Sequence, residues 1–305
     1  MDVHSLDDLA LPAPAGKRLA VLGDPIGHSL SPAMHNAALA QMSLTVPALA
    51  DWAYSAIHVP PERLGEALSR LHAEGVMGIN LTIPHKVQAR DLVESLDGEA
   101  EAMGAVNTLV RTEGGYRGTN TDGYGIRRAV EEAFAMDLKG ADIWLFGAGG
   151  AARGIVVSCL QAGCARMTVI NRTPSRLREL QEQVRSSGVG GADRVRFRLA
   201  AEAPSDCGQG SLLINATSLG LKERDPSPIG PDFLREGSRV YDTTYGVQNQ
   251  LARACAGCGI SYADGLSMLV WQGVRSLEIW TGETVPAGTM RRAAEASLRE
   301  RNMHE

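Results

Sequence analysis

The chain has little of what marks several protein classes. It carries five cysteines in 305 residues, and Asp2, Asp7 and Asp8 stand where a secretory leader would need a basic start before an apolar core. An odd, low cysteine count without such a leader argues against a disulfide scaffold and points to reduced thiols in a cytoplasmic setting. No uninterrupted apolar run approaches the ~20 residues of a spanning helix, so no membrane contact is expected. Positive charge is not in excess either: 30 Lys and Arg face 35 Asp and Glu, for a formal net charge of −5. That balance leaves no basic footprint for nucleic acid. The histidines form no close ligand pair, and Cys255-Ala256-Gly257-Cys258 lacks a second pair at zinc spacing and ends a helical pattern. No metal is expected. Internal repeats and long low-complexity segments are missing too.

What is present is enough for proper cores. Apolar residues make up 44% of the chain, and its length suits two domains of ordinary size. Short apolar runs alternate with helical patterns throughout. Strands are expected at Arg18 to Leu22, Tyr54 to Val59, Gly78 to Thr82 and Val106 to Arg111, with a hairpin turn at Gly114-Gly115 leading into Tyr116-Arg117-Gly118. A helix from Gly123 to Phe134 leads into a second series of strands: Ile143 to Phe146, Met167 to Ile170, Val195 to Leu199, Leu212 to Asn215, Arg239 to Asp242 and Ile260 to Tyr262. Such alternation is that of a doubly wound parallel sheet. Helical patterns return at Leu266 to Ile279 and Pro286 to Leu298, and these last helices are expected to pack back on the first domain.

The strongest local signal follows Ile143-Trp144-Leu145-Phe146. There Gly147-Ala148-Gly149-Gly150-Ala151-Ala152 fits G-x-G-x-x-(G/A) between a strand and a helical stretch from Arg153 to Leu160. The first glycine permits the tight turn, the second lets backbone N–H groups reach a pyrophosphate, and the small residue at 152 lets helix and strand pack closely. The next strand ends in Asn171-Arg172-Thr173-Pro174-Ser175-Arg176. An acidic side chain belongs there when the ribose carries a free 2′-hydroxyl. Asn171 is neutral, while Arg172 and Arg176 are cations suited to a 2′-phosphate, so the expected ligand is NADP(H) and not NAD(H). Thr173-Pro174 also suits the N-cap and first position of a helix.

Polar patches fall at strand ends and loops of the first domain: Asp24-Pro25-Ile26-Gly27-His28-Ser29-Leu30-Ser31-Pro32, Asn80-Leu81-Thr82-Ile83-Pro84-His85-Lys86, Ala105-Val106-Asn107-Thr108 and Asn120-Thr121-Asp122-Gly123. With Asp264-Gly265-Leu266-Ser267-Met268-Leu269-Val270-Trp271-Gln272, they closely resemble the shikimate dehydrogenase family, over about Arg18 to Trp280. The resemblance implies a two-domain α/β enzyme. Residues 1–122, completed by 266–305, would form a substrate-binding catalytic domain with a mixed sheet, and 123–265 a Rossmann-type NADP domain. The reaction it implies is the NADPH-dependent, reversible reduction of 3-dehydroshikimate to shikimate on the way to aromatic amino acids.

Hydride addition to a ketone leaves an alkoxide, so a proton donor must lie within hydrogen-bond reach. The resemblance gives that role to Lys86, with Asp122 holding the lysine and accepting from a neighbouring substrate hydroxyl. It makes Ser29 and Ser31 the carboxylate-binding hydroxyls, Ser31-Pro32 reading equally as N-cap and first residue of a helix through Gln41. Thr82, Asn107, Tyr245 and Gln272 complete the substrate shell. On the cofactor side it adds Asn215-Ala216-Thr217-Ser218, Thr243 and Gly265 to the set Gly147, Ala148, Gly149, Gly150, Ala151, Asn171, Arg172, Thr173 and Arg176. Met268 and Leu269 suit either the nicotinamide or the core. His28, His35 and His85 read as loop or packing residues, and the stretch before Arg18 as a mobile extension. The expected partner is a small-molecule substrate bound by a monomer or homodimer. Two rival readings stand: a quinate/shikimate dehydrogenase with broader substrate or NAD use, and a catalytically silent NADP(H)-binding regulatory protein.

Overall fold

In the computed structural model, residues 3–7, 17–203 and 207–303 are described, all but the side chain of residue 302. The chain divides into two compact units: Met1–Thr121 together with Val270–Glu305, and Asp122–Leu269.

The first unit is built on strands β1 (Val3–Ser5), β2 (Arg18–Gly23), β3 (Ala53–His58), β4 (Gly78–Leu81), β5 (Ser95–Leu96), β6 (Thr108–Arg111) and β7 (Tyr116–Thr119), in the order β1-β3-β2-β4-β6-β7-β5. Its helices in this stretch are α1 (Ser31–Met42), α2 (Leu64–Ala73), α3 (His85–Gln88) and α4 (Gly98–Met103). The sheet is mixed: β2 runs parallel to β3 and β4, whereas β4 with β6 and β6 with β7 are antiparallel. The hairpin between β6 and β7 turns at Gly114-Gly115 and is closed by Thr112 N–H donating to Gly115 O at 2.9 Å. Helix α2 shows why these residues fold this way. Leu64, Ala67, Leu68 and Leu71 recur at helical spacing, and all four are buried.

The segment before Arg18 corrects one expectation. Val3–Ser5 pairs in parallel with β3. Leu6 is buried in the core beneath the sheet, its carbonyl accepts from Arg70 at 2.6 Å, and Asp7 pairs with Arg63 at 2.8 Å. Residues 3–7 are held by pairing with residues some fifty to sixty positions later, a nonlocal cause that a three-residue run does not announce. Residues 8–16 of the expected extension lie outside the described residues.

The second unit holds α5 (Asp122–Phe134), β8 (Asp142–Phe146), α6 (Gly150–Gln161), β9 (Arg166–Asn171), α7 (Pro174–Ser186), β10 (Val195–Leu199), β11 (Leu212–Asn215), β12 (Arg239–Asp242), α8 (Gln250–Cys258) and β13 (Ser261–Ala263). Its strands run β10-β9-β8-β11-β12-β13, and every pairing is parallel. Parallel sheets need cover on both faces, and β8 shows how this is met. Ile143 and Leu145 join one core cluster, while Trp144 and Phe146 join the other. Full burial of such a side chain contributes roughly 1.5–3 kcal/mol. Strand order reverses between β8 and β11, which in open α/β sheets opens a crevice beyond the carboxyl ends of the strands.

Two more helices end the chain, α9 (Leu266–Thr281) and α10 (Ala287–Asn302). The boundary between the units falls within α9. Helix α10 packs on α1 of the first unit and buries Met290, Ala294 and Leu298, a stripe spaced by four.

Candidate active site

At the end of β8 the backbone must turn sharply, and Gly147 does so at φ 124°, its N–H donating to Ile170 O at 2.8 Å. A Cβ at 147 would lie 2.6 Å from the Ala216 carbonyl oxygen, so a side chain is excluded by conformation and by space. Gly149 then occupies the N-cap of α6 in extended conformation, and nothing lies within 4 Å of where its Cβ would be. The space that a pyrophosphate needs beside these N–H groups is therefore open. Helix α6 starts at Gly150, three residues before the expected Arg153, because residues 150–152 carry no periodic signal while Ala151 and Ala152 favour helical backbone. Ala152 is fully buried, as close packing of helix on strand requires.

Beside this loop, β9 ends at Asn171, whose side-chain amide donates to Thr173 O at 3.0 Å and folds the turn back on itself. Arg172 and Arg176 are exposed. The first turn of α7 holds no acidic residue, Pro174 opens it, and Thr173 sits at the N-cap without a side-chain capping bond. Two solvent-facing cations with no carboxylate in that turn fit a 2′-phosphate.

Beyond β11 and β12 the chain is folded around polar side chains. Asn215 Oδ1 accepts from Thr217 N–H at 3.0 Å and from Thr217 Oγ1 at 2.7 Å. Thr243 N–H donates to Asn215 O at 2.9 Å. Gly265 lies against this strand end: a Cβ there would collide with the Thr243 carbonyl. The absence of a side chain at 265 is thus required by Thr243 itself. Met268 N–H donates to the Tyr241 hydroxyl at 3.1 Å, and the Met268 side chain is part of the buried core.

In the first unit, Ser29 and Ser31 come together where β2 leads into α1. Ser31 N–H donates to Ser29 Oγ at 3.3 Å. The helix begins one residue earlier than expected. Its N-cap is Leu30 at φ −82°, ψ −10°, and Ser31 is the first helical residue, with no side-chain cap. Leu30 is buried, and that anchoring fixes the turn before the serine. The capping reading of Ser31 is therefore corrected, and the Ser29 hydroxyl takes the helix-entry amide instead.

Behind Ser31 lies His35, fully buried, stacked on Tyr54 at 4.0 Å between ring centroids, with Nδ1 2.8 Å from Ser31 O. Burial pushes its pKa down to about 4, so the ring is neutral and serves packing. His85 is likewise buried, with its pKa lowered chiefly by burial.

The Tyr54 hydroxyl donates to Asn80 Oδ1 at 2.7 Å and opens a buried polar chain. Asn80 Nδ2 donates to Asn107 O, Thr108 Oγ1 and Ser276 Oγ at 3.0–3.1 Å. Asn107 Oδ1 accepts from Thr121 N–H at 2.8 Å and Thr108 Oγ1 at 2.9 Å, and its amide nitrogen donates to Thr121 Oγ1 at 3.0 Å and Gln272 Oε1 at 3.4 Å. Two expected substrate residues, Asn107 and Gln272, thus meet. Asn80, Thr108 and Thr121 lie inside the polar motifs, but nothing in the sequence gives them a task. The available signal was a polar residue inside an otherwise apolar strand.

The same frame reaches the expected catalytic residues. Val106 N–H donates to Lys86 O at 2.7 Å, and Asn107 N–H to Thr119 O at 3.1 Å. Lys86 is half-buried on α3, Thr82 is half-buried just before it, and Asp122 is 3% exposed at the start of α5. Ser29, Ser31, Thr82, Lys86, Asn107 and Gln272 belong to the first unit; Asp122 and Tyr245 belong to the second. Cys255 is buried, with its thiol pushed up to about 12 chiefly by burial, and Cys258 is exposed. Among the described residues, no group of three or more His, Cys, Asp and Glu could hold a metal ion, and no helix is long and apolar enough to cross a membrane.

Known proteins match the chain in both units. Residues 21–109 match the shikimate dehydrogenase substrate binding domain, 128–194 the shikimate/quinate 5-dehydrogenase family, and 265–295 the shikimate 5′-dehydrogenase C-terminal domain. The shikimate dehydrogenase (NADP(+)) of Rubrobacter xylanophilus is 40% identical over 278 residues, covering 90% of this chain and 94% of the relative. A solved shikimate dehydrogenase in complex with NADP+ has a TM-score of 0.83 at 29% identity, covering 93% of this chain and 96% of its own. The Thermus thermophilus enzyme in complex with NADP(H) and shikimate has a TM-score of 0.78 at 34% identity, covering 92% and 99%. Fold and relatives together place the chain in a class of NADP-dependent oxidoreductases with one mixed and one parallel α/β sheet. The chain belongs to the shikimate dehydrogenase family.

Proposed function

We propose that this chain catalyses the reaction of its family, the reversible reduction of 3-dehydroshikimate to shikimate, with Lys86 moving the proton and Asp122 orienting it. The observation that carries this reading is a run of consecutive bonds within the first unit. Lys86 is tied through its carbonyl to Val106, Asn107 follows directly, and Asn107 Oδ1 holds the Thr121 N–H one residue before Asp122. Three motifs far apart in sequence are thereby fixed to one short segment, 106–107.

NADPH, when bound, supplies the hydride. The chain's own residues do the rest. The Lys86 ammonium donates a proton to the oxygen that becomes the alkoxide, and the amine takes it back in the oxidation. Asp122 accepts a hydrogen bond from a neighbouring substrate hydroxyl and holds the lysine. Ser29 and Ser31 bind the substrate carboxylate, and Thr82, Asn107, Tyr245 and Gln272 pair its hydroxyls, since each unpaired polar group costs about 1–3 kcal/mol when buried. Gly147, Ala148, Gly149, Gly150 and Ala151 cradle the pyrophosphate. Asn171, Arg172, Thr173 and Arg176 bind the adenosine 2′-phosphate, and Thr243 and Gly265 border the nicotinamide half. On this reading 1–122 with 266–305 is the substrate-binding catalytic domain and 123–265 the cofactor domain. The protein works in the cytoplasm as a monomer or homodimer.

Turnover measured with shikimate and with quinate, each with NADP+ and NAD+, tests the assignment. Shikimate with NADP+ should give the highest kcat/KM of the four. Preference for quinate or for NAD+ would replace this reading with that of a broader quinate/shikimate dehydrogenase.

A further inference from the structure

Asp242 ends β12 fully buried. Its carboxylate accepts five hydrogen bonds, from Asn215 Nδ2 at 2.8 Å, Thr244 N–H at 3.0 Å, Thr244 Oγ1 at 2.9 Å, Asn249 Nδ2 at 2.9 Å and the Tyr262 hydroxyl at 3.2 Å. The donors come from four places in the chain. Asn215 ends β11 and winds the following loop, its amide also donating to Leu219 O at 3.0 Å. Thr244 lies in the loop after β12. Asn249 caps α8, its Oδ1 accepting from Ala252 N–H at 3.0 Å, and its amide also reaches Thr244 Oγ1 at 3.2 Å. Tyr262 lies on β13, and burial, followed by the Asp242 charge, pushes its pKa up, which keeps its hydroxyl a donor.

The place of this hub matters more than its size. Asn215 and Asp242 stand at the carboxyl ends of neighbouring strands, on the side of β8 where the strand order reverses. The loops they hold reach the glycine turn and the helix entry: Ala216 O lies against Gly147, and the Thr243 carbonyl against Gly265. A carboxylate is the only side chain of this length that offers acceptors alone. Asparagine in its place would turn an NH2 group toward donors.

We propose that Asp242 is a positioning residue for hydride transfer: it holds the loops after β11 and β12 in the form that receives the nicotinamide end of the cofactor, touching neither cofactor nor substrate. The proposal rests on the reading that this unit binds NADP(H) with Thr243 and Gly265 toward the nicotinamide. It assigns the hub to catalysis and not to the adenine half, whose residues lie at β9.

The test compares D242N with the unaltered chain in two measurements: kcat and KM for shikimate and for NADP+, and the affinity for 2′,5′-ADP (which carries the 2′-phosphate but no nicotinamide). A misplaced reacting partner costs on the order of tenfold to a hundredfold in rate, so kcat should fall by that factor. Affinity for 2′,5′-ADP and KM for shikimate should stay within about twofold, as effects confined to one end of the cofactor require. Unchanged kcat would overturn the proposal, and so would a loss of 2′,5′-ADP affinity equal to the loss of kcat, the mark of a purely structural role. If D242N does not fold, T244V removes one donor and T244S keeps it. T244V should lose turnover several-fold with 2′,5′-ADP binding intact, and T244S should restore it; equal kcat for the two would overturn the proposal. An unaltered chain that binds 2′,5′-ADP but fails to oxidise shikimate would overturn the functional reading itself, which sets that failure apart from a failure at Asp242.

Discussion

The two units build their sites by different means. In the second, the loop expected to hold the cofactor is backbone: a glycine at positive φ, an open N-cap and a buried alanine on the first turn of α6. In the first, the polar residues expected to meet substrate are side chains at strand ends, held by a buried chain of bonds through Tyr54, Asn80, Thr108, Thr121 and Ser276. A backbone site depends on a few adjacent residues and on absent side chains. A side-chain site depends on partners spread from position 54 to position 276, each costly to lose. Loss of one member should therefore disturb the first unit widely, whereas the second should respond only where charge or space is altered.

The sharpest contrast comes from charge in the second unit. Replacing Arg172 and Arg176 together by Gln removes both expected 2′-phosphate partners. Charge-assisted hydrogen bonds contribute about 1.5–3 kcal/mol each, so NADP+ affinity should drop on the order of a hundredfold or more while NAD+ affinity changes little. Parallel titrations with the two cofactors check this, and an equal loss for both would remove the 2′-phosphate assignment.

Next in size is Asn80→Ala in the first unit. It leaves the Tyr54 hydroxyl, the Asn107 carbonyl, Thr108 and Ser276 each short of a partner in a buried place. The Asn107 carbonyl, Thr108 and Ser276 keep other bonds, so each costs less than the about 1–3 kcal/mol of a buried group left wholly unpaired. A loss of roughly 2–4 kcal/mol in denaturant unfolding and a raised KM for shikimate should appear, with 2′,5′-ADP affinity unchanged. If the KM does not move, the polar chain is scaffolding alone.

A further effect, confined to acid pH, is pH-dependent. The folded pKa of His35, about 4, lies below its ordinary value of 6.5. The unfolded chain therefore binds the extra proton first as pH falls. Stability linked to this ring is complete above about pH 6.5 and declines down to about pH 4, by roughly 3 kcal/mol over the window. In His35→Phe, which keeps a ring against Tyr54, the unfolding free energy should lose this slope between pH 4 and 6.5. An unchanged slope would assign the dependence to other groups.

This contrast also explains what could be read in the sequence. The glycine loop, both flanking strands and Arg172 and Arg176 are contiguous, so local pattern was enough. The parallel strands β10, β11 and β12 were bounded by their own apolar runs. The start of α6 is not legible because Gly150 to Ala152 carry no periodicity, and neither is β1, whose strand character comes from pairing with β3. Ser31 has the residue type of a cap, but buried Leu30 fixes the helix start. Asn80 and Asp242 show the deeper limit. Their partners lie up to 196 positions away, and no spacing rule joins Asn80 to Ser276.

The claim that the rest depends on is that Lys86 handles the proton, and Lys86→Met tests it most directly. The thioether keeps the length of the side chain and removes the ammonium. With NADPH and 3-dehydroshikimate both bound, the decay of NADPH absorbance in a single turnover should slow by about two to four orders of magnitude, the usual contribution of a positioned acid, while both ligands bind near their original affinities. Decay at the original rate would contradict the account.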